Sequence, residues 1–381
     1  AWEVFAVADN SSRVGQMIVV NPGWMNQECQ IARQLELAEE NSVGTIEYSC
    51  WAPDQVYDLT PDTEQFEPHT ESQGAYKAPL TRSFLQELVR GAHDKGLRVL
   101  AMGAGLTTLQ GALAHPDEVK YTADGQMCLY NGALHDGKRC NAVAAHLFTP
   151  ARVRAWANEM AASVDMFGWD GIRFDWSFVP LSPQDPLAPG ADGTGADGVW
   201  YDREGRSARE LFEDPDATAA ELCRLWRDTV ARRHPRFVYH GNCQVDETVR
   251  RRFPRYTEAV CPGAGLLHES LSDVTARYPT WQEWTEALMG STRVIRPLGG
   301  QPAVGWMRGY APGSVAHRVM QYCMMAAGFH WYGSAGARYS IDDTWFRFRH
   351  AMRYSDYFYG QDFTPVVDPA RNVAVAGRGV E

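Results

Sequence analysis

The sequence predicts an α/β protein with a (β/α)8 TIM barrel and long loop insertions after strands 3 and 4. Short runs of β-branched and aromatic residues alternate with stretches of helical periodicity, and eight such runs are present. This alternation is typical of βα units around a parallel sheet. No GxGxxG loop follows an early strand, which argues against an open doubly wound sheet.

Length and composition indicate the domain organisation. The chain has 381 residues, of which 45% are hydrophobic and 22% charged, so disorder, collagen and coiled coil are excluded. Barrels of alternating strands and helices extend well beyond 200 residues as one unit. We expect residues 1–360 to form the barrel that carries the functional site, and 361–381 to be a C-terminal extension or the start of a β-domain.

Charge and hydropathy restrict the partners. The 36 basic residues are scattered among 47 acidic ones, so we expect no nucleic-acid partner. No run approaches the roughly 18 apolar residues that span a bilayer, and we expect no membrane association. The chain begins at Ala1 rather than Met, and no signal peptide is recognisable. This start indicates that a signal, tag or upstream domain has been removed, or that the numbering begins inside a longer chain.

The first half of the chain supplies four predicted strands. Pro22 and Gly23 close the first strand, Thr81 opens a helix, and Gly96 ends that helix. A further helix begins at Pro150, since proline is favoured at the first helical position. The predicted strands are 17–21, 43–50, 97–102 and 169–176, and the predicted helices are 26–40, 81–95 and 150–167.

Two stretches are too long to be simple connectors. About 45 residues separate the third strand from Pro150, and a segment rich in Pro, Gly and Asp occupies 180–205. Both rise from the same end of a barrel, and we expect them to shape a substrate cleft. The stretch 190–198 lacks the full EF-hand spacing, so we expect no metal. No cofactor is expected either.

The second half of the chain completes the pattern. The predicted strands are 237–242, 257–263, 302–307 and 328–332, and the predicted helices are 207–233, 314–327 and 343–359. Residues 366–380 are predicted to begin an appended β-structure.

The fourth strand carries the clearest chemistry. Strand periodicity places Gly171, Arg173 and Asp175 on one face and Ile172, Phe174 and Trp176 on the other. Helices cover the apolar face, so we expect Arg173 and Asp175 to point inward near the barrel mouth. A neighbouring guanidinium keeps a carboxylate ionised, as a nucleophile requires. A structural ion pair at the barrel rim is the alternative.

A second carboxylate follows the sixth strand. Glu269 is flanked by Leu266, Leu267 and His268, an environment that raises a carboxyl pKa toward the working range of a general acid. One ionised and one protonated carboxyl group are what glycoside hydrolysis requires. A solvated loop glutamate is the alternative. The rival acids, in order, are Asp273, Glu247 and Glu47.

Further side chains near the predicted strand ends are candidates for substrate binding. Five tryptophans could stack on sugar rings, although each alone is also consistent with core packing. The complete candidate set is Trp24, Glu47, Trp51, Arg173, Trp176, His240, Asn242, His268, Asp273, Trp306 and Trp331.

The run GWDGIRFD at residues 168–175 resembles the fourth-strand nucleophile motif of retaining glycoside hydrolases with (β/α)8 barrels, and its Gly-x-Arg-x-Asp core is similar to that of the α-amylase family. A nucleophile on strand 4 with the acid on strand 6 resembles the α-galactosidase and α-glucosidase clans. With a glutamate as acid it resembles the dextranase and cycloisomaltooligosaccharide glucanotransferase family. The resemblance implies that Asp175 is the nucleophile and Glu269 the acid/base on an α-linked oligo- or polysaccharide, and it slightly favours a secreted or extracytoplasmic protein.

Two other functions stay open at this stage. One is a metal-dependent barrel hydrolase using His240 and His268, although the predicted first strand lacks the His-x-His pair of such enzymes. The other is a barrel that binds glycans without cleaving them. The sugar, the linkage and the oligomeric state are not predicted.

Overall fold

The computed structural model describes most of the barrel sheet and the helices of its central part. The described residues are 17–20, 32, 35–36, 44–48, 51–69, 79–128, 134–135, 138–139, 142–145, 149–175, 200–242, 245–267, 278, 280–305, 315, 319–320, 323–324, 327–334, 363–368 and 373–378.

Eight short strands form one sheet. They are β1 (Met17–Val20), β2 (Thr45–Tyr48), β3 (Arg98–Ala104), β4 (Gly171–Asp175), β5 (Val238–Asn242), β6 (Ala264–Leu267), β7 (Gln301–Gly305) and β8 (His330–Ser334). Each strand pairs in parallel with its neighbour in the chain order, and β8 pairs with β1, so the sheet closes into a barrel. The predicted mixed α/β class with a parallel sheet is confirmed.

Helices follow the strands, and their ends agree with local signals. The helices with described bounds are α1 (Arg82–Asp94), α2 (Leu109–Ala114), α3 (Pro150–Phe167), α4 (Ala208–Leu211), α5 (Pro215–Ala231), α6 (Glu247–Arg252), α7 (Pro254–Val260) and α8 (Trp281–Ile295). The hydroxyl of Thr149 accepts from the backbone of Arg152, and Gly168 ends α3 at φ 84°. A positive φ at this position favours glycine, which explains why the helix stops there. Short 3-10 turns occupy Pro116–Glu118 and Arg296–Leu298.

The sixth predicted strand is wrong. Residues 257–263 were expected to be extended, but most of them belong to α7, and the strand begins after Gly263. Pro254 starts the helix, which buries Tyr256, Thr257, Ala259 and Val260. Short apolar runs fit either a buried strand or one face of a helix, so periodicity alone does not separate them.

The other seven predicted strands overlap the observed ones, although several ends differ. The third strand continues to Ala104, and the eighth is displaced to His330–Ser334. The predicted helix at 207–233 divides into α4 and α5, with Pro215 at the first position of α5. The helix predicted at 343–359 lies outside the described residues, and within 26–40 the described residues 32, 35 and 36 are helical.

The main hydrophobic core lies between the barrel and its helices. Phe174 on β4 packs with ring centroids 5.1 Å from Trp156 of α3 and 5.0 Å from Trp226 of α5. Ile172, two residues before it, is equally buried. Alternate residues of β4 therefore leave Arg173 on the interior face of the barrel, as the strand periodicity predicts.

Two further elements lie outside the barrel sheet. Residues 105–149 contain α2 and a pair of antiparallel strands, Leu106–Thr108 and Ala142–Ala144. At the C-terminal end, β9 (Phe363–Asp368) and β10 (Val373–Arg378) form an antiparallel hairpin, as expected from the appended β-pattern. None of the helices described here has the length and apolar character needed to cross a bilayer.

Candidate active site at the carboxyl end of the barrel

The candidate site is built on the interior face of β4. Arg173 is fully buried, with a side chain only 1% exposed. Asp175 is the last residue of the strand and occupies the same face in the alternation. The side chain of Asp175 lies outside the described part of the structure. The backbone therefore brings the proposed nucleophile position to the carboxyl end of the strand, where barrel enzymes carry their catalytic groups.

Arg173 forms an ion pair inside the barrel. Its Nε lies 3.6 Å from Oε2 of Glu47 on β2, and the Glu47 side chain is also 1% exposed. The two strands are not neighbours, because β3 lies between them. The pair therefore crosses the barrel interior. Glu47, which is one of the alternatives to Glu269 as the catalytic acid, is therefore buried beside a guanidinium and does not lie at an open strand end.

The strand registers explain why these two side chains meet. Glu47 pairs with Leu100 of β3, and Leu100 pairs with Gly171 of β4. Strands in a barrel are tilted, so a residue two positions further along β4 lies at the same level as Glu47. That residue is Arg173. Side chains of one level come from alternate strands in such barrels, and β2 and β4 meet this condition.

The two candidate side chains on β5, His240 and Asn242, are buried to different extents. His240 pairs in register with Arg173 and is 1% exposed, so it belongs to the packed interior. It is the middle residue of β5, which corrects its expected place at a strand end. Asn242 is the last residue of β5 and is half-buried. Within the described residues, no group of three or more His, Cys, Asp or Glu side chains is arranged to hold a metal.

The acid candidates follow β5 and β6 in the chain. The sixth strand ends at Leu267, so Glu269 follows it by two residues in the sequence. His268, Glu269 and Asp273 themselves lie outside the described residues. Glu247 is exposed in the first turn of α6, where a carboxylate interacts favourably with the helix dipole.

The tryptophan hypothesis is wrong for Trp51. This residue is 1% exposed, and its Nε1 donates a 2.7 Å hydrogen bond to the backbone oxygen of Met102. Its ring packs at 5.2 Å from Trp169 and 5.8 Å from Phe167. Trp51 is therefore a core residue, because tertiary contacts cover both of its faces.

The other four tryptophans are not assigned to a binding surface. Trp331 is the second residue of β8 and not at its end, since the strand continues to Ser334. Trp24, Trp176 and Trp306 lie outside the described residues.

A buried carboxylate that the sequence analysis missed joins two loops at this end of the barrel. Asp54 Oδ1 accepts from the backbone of Val56 and Tyr57, at 2.9 and 3.0 Å. Oδ2 accepts from Thr107 Oγ1 at 2.6 Å and from the backbone of Thr108 at 2.8 Å. The Asp54 bonds to its own following residues are a turn signal that the sequence contains. Its bonds to the loop after β3 are not visible in the sequence.

A second polar cluster lies beside Asp54. The ring of Tyr57 is stacked on His115 at 4.1 Å, and the guanidinium of Arg152 lies 4.7 Å from the Tyr57 ring centroid. Arg152 Nε also lies 2.7 Å from Oε2 of Glu118. Burial, followed by the charge of Glu118, raises the pKa of Tyr57 above its ordinary value. The phenol therefore stays neutral and links the loop after β2 to the start of α3.

The described parts of the loops after β3 and β4 contact each other. Tyr121 and Tyr201 exchange two backbone hydrogen bonds of 2.8 Å, and Arg203 forms a 2.7 Å ion pair with Asp117. The ammonium of Lys120 lies 5.3 Å from the ring of the buried Trp200. The described parts of the two loops are therefore joined to each other.

Comparisons with known proteins show similarity at the level of structure. No family model matches the chain, and no curated protein is similar to it. A cycloisomaltooligosaccharide glucanotransferase from Paenibacillus sp. is similar at TM-score 0.51 and 10% identity, over 78% of this chain and 39% of the other. A GH31 dextranase from Flavobacterium johnsoniae is similar at TM-score 0.52 and 10% identity, over 92% and 39%. An alpha-galactosidase from Lactobacillus brevis is similar at TM-score 0.50 and 11% identity, over 93% and 42%.

These likenesses concern the fold. The chain spans less than half the length of each of the three enzymes, and the identities are far below the level at which residues can be equated. The resemblance that the motif at residues 168–175 indicates, to dextranase, cycloisomaltooligosaccharide glucanotransferase and α-galactosidase, is thereby confirmed as a resemblance of fold.

Proposed function

We propose that this protein is a glycoside hydrolase or transglycosidase that cleaves an α-linked oligo- or polysaccharide with retention of configuration. The observation that carries the proposal is the fully buried Arg173 on the interior face of β4, two residues before Asp175 at the carboxyl end of a barrel strand. An arginine stays charged in such a site and favours the ionised form of a nearby carboxylate.

Asp175 and Glu269 divide the chemistry between them. Glu269 donates a proton to the glycosidic oxygen while Asp175 attacks the anomeric carbon, which releases the leaving sugar and leaves a glycosyl-enzyme ester. Glu269 then removes a proton from water or from an acceptor sugar, whose oxygen attacks the anomeric carbon and frees Asp175. The observed end of β6 supports this role, because Glu269 follows Leu267 by two residues.

The architecture we propose is a (β/α)8 TIM barrel spanning residues 1–360, with 361–381 as an extension that contains the β9–β10 hairpin. The stagger of the sheet supports it. The register offsets of the eight strand pairs, added once around the barrel, amount to a shift of eight residues, which is the shear of TIM barrels.

The substrate cleft lies above the carboxyl ends of β3 and β4 in this proposal. The contact between Tyr121 and Tyr201 supports it, because the two long loops then form a shared wall. Asn242, half-buried at the end of β5, is the described candidate for contact with a sugar. Trp24, Trp176, Trp306, His268 and Asp273 remain proposed contacts.

A substrate panel tests the proposal. Purified protein is incubated with α- and β-linked glucans and galactans, and products are followed by mass spectrometry, with NMR of the newly formed anomeric centre. We expect cleavage of an α-linked substrate with retention, and a loss of several orders of magnitude in Asp175→Asn and Glu269→Gln. Azide is expected to restore turnover in a nucleophile variant, Asp175→Ala, by replacing the missing carboxylate.

The control is Asp165→Asn, which removes an exposed carboxylate near the end of α3. It is expected to retain full activity. Activity that survives Asp175→Asn places the nucleophile elsewhere. Glycan binding without any product, unchanged in Asp175→Asn, overturns the proposal in favour of a non-catalytic barrel.

A further inference from the structure

The ion pair between Glu47 and Arg173 occupies the same interior face as Asp175. We infer that Glu47 is a positioning residue of the proposed reaction, which holds the Arg173 guanidinium beneath the nucleophile position and balances its charge. This inference rests on the proposed function, since it concerns how the nucleophile of that reaction is tuned.

Burying this ion pair has a cost in free energy. Both side chains are 1% exposed, and Arg173 Nε lies 3.6 Å from Glu47 Oε2. A buried charge without compensation is strongly unfavourable, and a buried ion pair often contributes less to stability than apolar residues of similar size. An arginine also loses rotamer freedom when it is fixed. The pair is therefore better explained by a role in the proposed reaction than by a contribution to the stability of the fold.

The charges around Arg173 identify Glu47 as its balancing group. The described interior side chains on β3 and β6 at neighbouring levels are Leu100, Met102 and Leu267, which are uncharged. Arg98, the charged residue of β3, lies at the opposite end of that strand, in register with Thr45. His240 of β5 lies beside Arg173. Among the interior side chains described on β2 to β6, Glu47 is the one carboxylate.

The position on β4 connects the pair to catalysis. Arg173 and Asp175 are successive residues of one face, separated by one strand repeat of about 6.6 Å. A net positive charge held one repeat away on the same face stabilises an anionic carboxylate. Glu47 reduces this net charge, so that the nucleophile is ionised but still basic enough to attack.

The test is the pH profile of kcat/KM, whose acid limb reports the ionisation of the nucleophile in the free enzyme. Glu47→Gln keeps the shape of the side chain and removes its charge. We expect the acid limb to move to lower pH by about 0.5 unit or more, because the guanidinium no longer faces the charge of Glu47 and so favours ionised Asp175 more strongly. Glu47→Asp keeps the charge, and its acid limb is expected to stay close to that of the wild type.

The matched control is Asp170→Asn, which removes a structural carboxylate just before β4, at the other end of the barrel. It is expected to lower the melting temperature without moving the acid limb. A Glu47→Gln variant that is only less stable, with an unmoved limb, overturns the inference and leaves the proposed function intact. A wild-type protein that cleaves no substrate overturns the proposed function and this inference with it.

Glu47→Asp provides a second readout if Glu47→Gln does not fold. Its carboxylate is one methylene shorter, so the guanidinium is held less firmly. We expect kcat to fall about fivefold or more with KM within about twofold of the wild type, since the pair acts on the transition state and not on binding. An unchanged kcat overturns the inference.

Discussion

Asp170 Oδ2 lies 2.8 Å from Nε2 of His93 and also accepts a 2.7 Å hydrogen bond from the backbone of Val99. The carboxylate therefore joins the last turn of α1 to the start of β3. The hydrogen bond to Asp170 raises the pKa of His93 above its ordinary value of 6.5, against a smaller opposing effect of burial.

This pair predicts a stability that depends on pH. Because the pKa of His93 is higher in the folded state, its contribution is complete below about pH 6.5 and is lost as the pH rises through the folded-state pKa. The contribution is expected to stay under about 1 kcal/mol, since both side chains are partly exposed. Urea unfolding of the wild type and His93→Gln, compared between pH 5.5 and 8.5, measures it. The prediction would be contradicted if the free energy of unfolding changed with pH by the same amount in the two proteins.

Asp54→Ala is expected to lower the free energy of unfolding by about 3 kcal/mol. The substitution leaves three backbone N–H groups, of Val56, Tyr57 and Thr108, without their acceptor in a largely buried site, and the Thr107 hydroxyl loses its partner as well. Denaturant unfolding measures the loss. The control is Asp62→Ala, an exposed aspartate of the same loop, which is expected to change stability by less than about 0.5 kcal/mol. Equal effects of the two substitutions would refute the assigned role of Asp54.

Gly171→Ala and Gly290→Ala are expected to act in opposite directions. A Cβ at Gly171 would lie 2.3 Å from the backbone oxygen of Val238, so β4 and β5 could not keep their spacing. A Cβ at Gly290 in α8 meets nothing within 4 Å. We expect Gly171→Ala to cost more than about 3 kcal/mol, and Gly290→Ala to stabilise by up to about 1 kcal/mol. Thermal unfolding of both variants checks this, and a neutral Gly171→Ala would contradict the barrel register.

Cys223 is expected to resist alkylation in the folded protein. It is fully buried on α5, and burial raises the pKa of its thiol to about 11. Only about one molecule in a thousand is then a thiolate at pH 8, and no reagent reaches it. Iodoacetamide labelling followed by peptide mass spectrometry, with and without urea, tests this. Rapid labelling without urea would show that α5 opens easily.

Local signals in the sequence predict much of the secondary structure. Short runs of β-branched and aromatic residues mark seven of the eight barrel strands. The cap at Thr149, the proline at position 150 and Gly168 bound α3 at the observed residues. These signals succeed because they depend on the backbone geometry of a few consecutive residues. They fail at residues 257–263, because a short apolar run there is compatible with either a helix or a strand.

The candidate site shows the same difference between what local sequence determines and what tertiary contacts determine. The sequence by itself determined that Arg173 and Asp175 share the interior face of β4, because strand alternation follows from the period of two. Only the tertiary structure decided that Arg173 meets Glu47, because a closed, tilted barrel brings alternate strands to one level. It also decided that Trp51 and His240 are buried, since exposure depends on which surfaces pack over a residue. Neighbours in the chain do not carry that information.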